Sequence, residues 1–253
     1  QRSPRRCPRV ARPRSPRPTD RTDERETAAF RAVGSAAAPA YDIGLSIDAF
    51  SLQDHRVGGR PVLPGVATLE LVRAAARLAF PGRPASVADF TWRSPLPVDP
   101  GGRTVRIAFT PAVDGAGVEV GGSGGDVFAD GRVRFETPRT STVDLSNVER
   151  SGWPVRMAGP AVYERLRALG MEYGPSFQGI EELWSDGRTA VARLALPAAA
   201  DRAGPWEVNP ALVDAAVQAA VGLALAGGGR MDLVVPYHAA EWSVACAPPA
   251  RCF

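Results

Sequence analysis

"DHRVGGRPVLPGVATLELVRAAARLAF", residues 54–80, joins a stiff turn to a long apolar segment. The turn carries His55, one of only two histidines in the chain, among closely spaced glycines and prolines. From Gly65 onward, apolar residues recur at helical spacing until Pro81 and Gly82 interrupt the pattern. The sequence therefore predicts a helix that begins at Gly65, and its nearly continuous apolar surface favours a helix wrapped by a sheet.

Strands are predicted on both sides of this helix. Residues 41–50 alternate apolar and polar side chains, which is typical of a half-buried strand. After the helix, turn residues separate further apolar segments at 85–98, 103–113, 117–122 and 127–136. The last segment is predicted as a hairpin that turns at Asp130–Gly131, because this dipeptide favours a tight turn between two strands.

A similar order returns in the second half of the chain. A short helix is predicted at 159–170, two strands at 173–187 and 189–197, a second long apolar helix at 209–229 that Asn209 caps, and strand material at 231–246. Two units, each a long helix enfolded by antiparallel strands, predict the α+β class. The predicted organisation is a disordered Arg/Pro-rich tail and linker at 1–40, a first unit at 41–136, a linker at 137–159 and a second unit at 160–253.

Charge and composition argue against several function classes. Residues 1–19 hold seven arginines and no acidic residue. The positive charge of this segment exceeds the formal net charge of +3 for the whole chain, so the remaining residues are together mildly acidic. We therefore expect a solvated tail and no nucleic-acid interface. The apolar stretches are too short to predict a membrane span, and the three cysteines lack metal or disulfide spacing. The predictions are no membrane segment, no metal site and a cytoplasmic location.

Each long helix is accompanied by a polar residue that could carry chemistry. His55 lies shortly before the first helix, and Asp214 lies inside the second, with Gln218 one turn further along the same face. A carboxylate on an apolar helix is costly unless it is paired or functional. On the residues alone, His55 is also explained as a structural turn histidine, and Asp214 as a capping or pairing residue. The other histidine, His238, is predicted to be structural.

Four motifs in order carry a family resemblance. "HRVGGRPVLP" at 55–64 resembles the HxxxGxxxxP motif of the dehydratase domains of modular polyketide synthases, and "YGPSFQG" at 173–179 resembles their YGPxFxG element. "NPALVDAAVQ" at 209–218 resembles their HPALLDAxxQ segment, and "VVPYHAAEW" at 234–242 is similar to their LPFxW strand. The resemblance covers about residues 41–245.

The resemblance implies a double hot-dog fold, in which two antiparallel sheets each wrap around a long central helix and the active site lies in a tunnel between them. It implies loss of water from a β-hydroxyacyl thioester to give the α,β-enoyl thioester. The substrate would arrive on the phosphopantetheine arm of an acyl carrier protein, with no other cofactor. The implied partners are that carrier protein, neighbouring polyketide synthase domains and a second copy in a homodimer.

The resemblance also assigns roles to residues. His55 is the implied base and Asp214 the implied acid, because a neutral imidazole suits proton removal and apolar surroundings keep a carboxyl protonated. Backbone N–H groups near Gly65, at the start of the first helix, would bind the developing oxyanion. The other predicted site residues are Tyr173 and Gln218 near the substrate, and Gly59, Pro64, Gly174 and Pro175 in the turns that shape the site.

Two other functions stay open on the sequence. One is a cyclase or isomerase of the same fold, similar to product-template domains, and the other is a catalytically inactive domain that docks carrier protein. Asn209 stands where the family has histidine, and two extra residues precede Trp242 in the last motif. Few residues follow Trp242, where the family continues through further strands, so the sequence predicts a second hot-dog that is truncated or has a short sheet.

Overall fold

The computed structural model describes residues 30–83, 85–122, 124–137, 152–200, 206–226 and 236–253. The arginine-rich segment at 1–29 and most of the predicted linker lie outside these ranges. Inside them, the helices are α1 Phe50–Gln53, α2 Gly65–Ala79, α3 Gly159–Ala168, α4 Pro210–Gln218 and α5 Val221–Ala226. None of these helices is long and apolar enough to cross a membrane.

The strands in the same ranges form three sheets. They are β1 Phe30–Ala32, β2 Ala40–Leu45, β3 His55–Val57, β4 Arg60–Pro61, β5 Ser86–Trp92, β6 Arg103–Ala112, β7 Gly115–Gly122, β8 Val127–Arg134, β9 Val155–Ala158, β10 Met171–Tyr173, β11 Ile180–Ser185, β12 Ala190–Ala195, β13 His238–Trp242 and β14 Arg251–Cys252. The sheet orders are β1-β2-β6-β7-β8-β5-β13, β10-β3-β4 and β14-β12-β11-β9. The strand pairs are antiparallel.

Helix α2 packs on the seven-stranded sheet and forms the larger core with it. Every residue from Val66 to Ala76 is buried, which agrees with the prediction of a helix wrapped by a sheet. Inward residues of β6, Val105 and Ile107, belong to the same apolar cluster as Leu71 of the helix. Because successive side chains of a strand point to opposite faces, every second residue of β6 lies on the inner face of the sheet. The apolar surface buried between this face and the helix stabilises the first unit.

The second unit has its own core under the four-stranded sheet. Helices α3 and α4 bury Val162 and Leu212 against Leu183 of β11 and Leu194 of β12. Two helix-on-sheet units of antiparallel strands confirm the predicted α+β class.

A buried ionic network ties the helix of the first unit to the segment that leads into α4. Arg73 of α2 donates to both carboxylate oxygens of Glu70, at 3.1 and 2.9 Å, and to Glu207 at 2.5 Å. The backbone N–H of Val208 donates to Glu70 Oε2 at 3.3 Å. Because breaking a buried ion pair leaves an uncompensated charge, this network holds the start of α4 beside α2.

The unit boundaries differ from the predicted ones in three places. Strand β1, inside the predicted tail and linker at 1–40, pairs with β2. Strand β9, inside the predicted linker at 137–159, pairs with β11. Strand β13, assigned to the second unit, pairs with β5 and so completes the first sheet. The β5–β13 pairing joins segments that lie far apart in the chain, so the local sequence carries little sign of it.

Two predicted elements also have a different form. The expected hairpin at 127–136 is one strand, β8, in which Gly131 pairs across to Val118 instead of turning. A Cβ at Gly131 would lie 2.8 Å from the ring of Phe90, so this glycine serves close packing. The second long helix is broken between α4 and α5, where Gly222 N–H donates to Ala219 O in a tighter turn. Because the apolar pattern of the sequence continues between α4 and α5, it predicts one continuous helix.

Candidate active site

His55 begins strand β3 and is held in one orientation by its backbone surroundings. The strand turns at Gly58 and Gly59, whose φ angles of 56° and 75° favour glycine. This turn returns the chain so that Val62 O lies 2.8 Å from His55 Nδ1. A carbonyl oxygen only accepts, so Nδ1 carries a hydrogen, and in the neutral ring the lone pair is on Nε2. The ring is therefore oriented as a base.

Two aromatic rings pack on the His55 imidazole. Tyr173 and Phe177 lie edge-on to it, with ring centroids at 5.4 and 5.5 Å. The contact follows from strand pairing, because Tyr173 of β10 is the direct partner of His55 in the three-stranded sheet. His55 is only 6% exposed. The YGPSF segment thus forms one wall around the base.

Asp54, which sequence reasoning assigned no role, anchors that wall. Its carbonyl accepts from Gly174 N–H and its carboxylate accepts from Ser176 N–H, both at 2.8 Å. Pro175 follows as the first residue of a short 3₁₀ turn, Pro175–Phe177. The side chain next to the histidine therefore fixes the loop that covers the histidine. A carboxylate directly before His55 was the available sign, but its partners lie far along the chain.

Gly174 is the position where this loop tolerates no side chain. A Cβ there would collide with the Asp54 carboxylate. We expect Gly174→Ala to lower the free energy of unfolding by about 1–3 kcal/mol, the usual cost of overpacking a close contact. Urea denaturation measures it, with Gly44→Ala as the control, since a Cβ at Gly44 meets open space. Equal stability of the two variants would contradict the role assigned to Gly174.

The start of α2 faces the same space as His55. Pro64 precedes the helix in an extended conformation, with φ −55° and ψ 139°, and Gly65 is its first residue. A Cβ at Gly65 would lie 3.1 Å from the Trp92 indole, so glycine allows the ring to approach the helix end. The first N–H groups of a helix have no partner within it and attract negative charge. They offer donors to an oxyanion.

Asp214 is placed by helix α4. Asn209 caps this helix with its side chain, which accepts from Ala211 N–H at 3.0 Å, and Pro210 is the first helical residue. Asp214 is 6% exposed. Burial raises the pKa of its carboxyl, while electrostatic interaction with His55 and a hydrogen bond from Gln218 act in the opposite direction. A raised pKa suits an acid that must hold its proton.

Gln218 connects Asp214 to a tyrosine that the sequence analysis missed. Its Nε2 donates to Asp214 Oδ2 at 2.7 Å and to Phe177 O at 3.2 Å. Its Oε1 accepts from the Tyr163 hydroxyl at 3.0 Å. Tyr163 lies on the buried face of α3. A tyrosine on an apolar helical face needs a hydrogen-bond partner, and that was the sign available in the sequence.

One cavity of about 770 Å³ brings these groups together. Its lining includes five of the predicted site residues, His55, Gly65, Tyr173, Asp214 and Gln218. The turn residues Gly59, Pro64, Gly174 and Pro175 shape the surrounding loops.

Most of the cavity wall is apolar, and its outer part includes the exposed side chains Val217, Leu223 and Tyr237. An acyl chain suits this wall. In the described ranges, no group of three His, Cys, Asp or Glu side chains could hold a metal ion.

The arrangement supports paired acid and base chemistry on one ligand. A lone-pair nitrogen and a buried carboxyl with a raised pKa line the same cavity, beside the N-terminus of a helix. Such a set can take a proton from one atom, give a proton to a neighbouring group and stabilise an oxyanion between the two events.

Two family models match the chain. One, described as "Polyketide synthase dehydratase domain", matches residues 31–121, and the other, described as "Polyketide synthase dehydratase N-terminal domain", matches residues 143–253. Among curated proteins, polyketide synthase PksN of Bacillus subtilis is 31% identical over 208 residues, and ThaG of Burkholderia thailandensis is 34% identical over 212. These matches take in 77% and 78% of this chain but only 4% of each relative's length.

Solved structures show the same fold. A dehydratase domain of a trans-AT polyketide synthase from Brevibacillus brevis aligns with a TM-score of 0.78 and 26% identity, covering 86% of this chain and 80% of that one. The dehydratase domain from the CurF module of curacin polyketide synthase aligns with a TM-score of 0.77 and 21% identity, covering 88% and 84%. The double hot-dog prediction is confirmed by these neighbours.

Proposed function

Since the chain belongs to the dehydratase domain family of polyketide synthases, we propose that His55 and Asp214 together remove water from a β-hydroxyacyl thioester, leaving the α,β-enoyl thioester. The activity is that of a hydro-lyase. The substrate enters the apolar cavity with its α-carbon toward the imidazole and its β-hydroxyl toward the carboxyl.

The base takes the proton from the α-carbon. Nε2 of His55 is the available nitrogen, because Nδ1 donates to Val62 O. As the Cα–H bond breaks, negative charge develops on the thioester oxygen. The N–H groups at Gly65, at the start of α2, stabilise that charge.

The acid completes the elimination. The electron pair from the broken Cα–H bond forms the Cα=Cβ bond, and the Cβ–O bond breaks. The departing oxygen takes the proton of Asp214 and leaves as water. Burial supports this role because it raises the pKa of Asp214 and so favours the protonated form.

The observation that carries the proposal is the shared cavity of His55 and Asp214. The test is to incubate the purified chain with a β-hydroxybutyryl thioester of a short pantetheine mimic and to measure enoyl thioester by mass spectrometry. We expect the enoyl product to form faster than in buffer. A folded chain that gives only the background rate would favour a carrier-docking domain, and a ring-closed product from a longer chain would favour a cyclase.

The partners follow from the relatives. The curated relatives are polyketide synthases many times longer than this chain, so further synthase domains are the expected neighbours. We propose an acyl carrier protein as the donor of the substrate, through its phosphopantetheine arm, and a second copy of the domain as partner in a homodimer. Cys246 and Cys252 are free thiols, which suits the reducing cytoplasm that we propose as its location.

A further inference from the structure

A chain of hydrogen bonds runs from the backbone of β11 to the carboxyl of Asp214. Ile180 N–H donates to the Tyr163 hydroxyl at 2.8 Å, and that hydroxyl donates to Gln218 Oε1 at 3.0 Å. The amide nitrogen of Gln218 then donates to Asp214 Oδ2 at 2.7 Å and to Phe177 O at 3.2 Å. The chain thus joins the second sheet to the site.

The donor and acceptor roles in this series of hydrogen bonds are set by the backbone groups with which it makes contact. A backbone N–H only donates, so the Tyr163 oxygen accepts from Ile180 and its hydrogen is free for Gln218 Oε1. A backbone carbonyl only accepts, so Phe177 O favours the same orientation, with the Gln218 NH₂ group toward it. A turned-over amide would place Oε1 against the Phe177 carbonyl oxygen. The hydrogen-bond partners therefore allow one orientation of the Gln218 amide.

We propose that Tyr163 is a positioning residue, which acts through Gln218 to keep the acidic proton of Asp214 on Oδ1, the oxygen available to the substrate. The inference rests on the proposed function. An Oδ2 atom that already accepts a short N–H bond is a poor place for the proton, so the O–H group forms at Oδ1. With the amide turned over, Asp214 would instead donate its proton to Gln218 and withhold it from the departing hydroxyl.

The groups that face Asp214 suit this arrangement. They are His55, Tyr163 and Tyr173, along with Gln218. Burial and the charge of Asp214 raise the pKa of both tyrosines. Both phenols therefore remain protonated at the pH values at which the enzyme is assayed, and the Tyr163 hydroxyl is a constant donor.

The test is the Tyr163→Phe variant, assayed with the β-hydroxybutyryl thioester across pH. Loss of one hydrogen bond that matters in the transition state is expected to lower kcat about tenfold, with KM within about twofold. The alkaline limb of the kcat profile reports loss of the acid's proton. It should move to higher pH, because only the 3.2 Å bond to Phe177 O then orients the Gln218 amide, which turns over more readily and no longer offers Asp214 a fixed N–H donor for its charged form. An unchanged kcat and an unchanged profile would overturn the inference.

The direction in which the alkaline limb of the kcat profile moves distinguishes a positioning role of Tyr163 from a general loosening of the site. A loosened site would admit water, reduce the desolvation of Asp214 and move the alkaline limb to lower pH. Such a shift would overturn the inference. Val162→Ala is the matched control, because this neighbour on α3 is fully buried in the second core. It should lower the urea midpoint while leaving kcat and the pH profile in place.

A double-mutant cycle tests whether Tyr163 acts through Gln218. In a Gln218→Ala background, Tyr163→Phe should change kcat by less than twofold, since the amide it orients is gone. Additive losses would overturn the inference. A folded wild-type chain without dehydratase activity would overturn the proposed function and this inference with it, whereas an active wild type with an unaltered Tyr163→Phe variant would overturn the inference alone.

Discussion

The His55→Gln variant is expected to lose about 10³-fold in kcat/KM for a β-hydroxyacyl thioester, within the range that a positioned base contributes. Glutamine keeps an N–H donor that can reach Val62 O, which accepts from His55 Nδ1 at 2.8 Å in the wild type. It cannot accept the α-proton, because its amide is not basic. The substitution thus removes the base and preserves the anchor. Steady-state rates of enoyl formation measure the loss, and the urea midpoint checks the fold.

His238 supplies the matched control for this experiment. Its ring lies on exposed strand β13, where Nδ1 is 3.1 Å from the Thr91 hydroxyl. His238 lines the outer part of the same cavity, but its ring is exposed and contacts Thr91, so His238→Gln should keep kcat within about threefold of wild type. A His55→Gln variant as active as His238→Gln would show that the chain uses a different base or none.

The local parts of this fold could be read from the sequence. Helix α2 begins at the predicted Gly65 and ends at Ala79, just before Pro81 and Gly82. Helix α4 begins at the predicted Pro210 with Asn209 as its cap. In each case the start depends on a few neighbouring residues: proline and glycine at α2, and a side-chain cap at α4. Such short-range patterns predict helix starts correctly because the residues that interact are neighbours in the sequence.

The parts that the sequence concealed depend on distant partners. Strand β13 completes the first sheet although it follows the second core in the chain, and only its pairing with β5 reveals this. Gly131 suggested a turn by its type, but it accommodates Phe90 within a continuous strand. Tyr163 and Asp54 entered the site through bonds to Gln218 and Ser176. The residue types predict that buried polar side chains such as Tyr163 and Asp54 need hydrogen-bond partners. Which residues become those partners depends on the tertiary fold.

The Asp214→Asn variant is expected to lose about 10²- to 10³-fold in kcat, because asparagine is isosteric but has no acidic proton for the departing hydroxyl. Its amide oxygen can still accept from Gln218, which donates to Asp214 Oδ2 at 2.7 Å, so the cavity keeps its shape. The rate of enoyl formation should also lose the alkaline limb that the Asp214 carboxyl gives the wild type. A variant that retains both kcat and this limb would mean that another group protonates the leaving oxygen.

Asp214→Asn should also change how the stability of the folded chain depends on pH. The pKa of Asp214 is raised in the folded chain by burial, so its stabilising contribution is complete below the unfolded pKa of about 3.9 and is lost as pH rises through the folded pKa. Asp214→Asn should therefore match wild type in acid and have the higher thermal midpoint at alkaline pH. Asp186 has the opposite sign, because backbone N–H groups of Thr189 and Arg188 lower its pKa. Asp186→Asn should accordingly be less stable than wild type at pH values above the unfolded pKa. A thermal midpoint of Asp214→Asn that runs parallel to wild type across pH would contradict the raised pKa of Asp214.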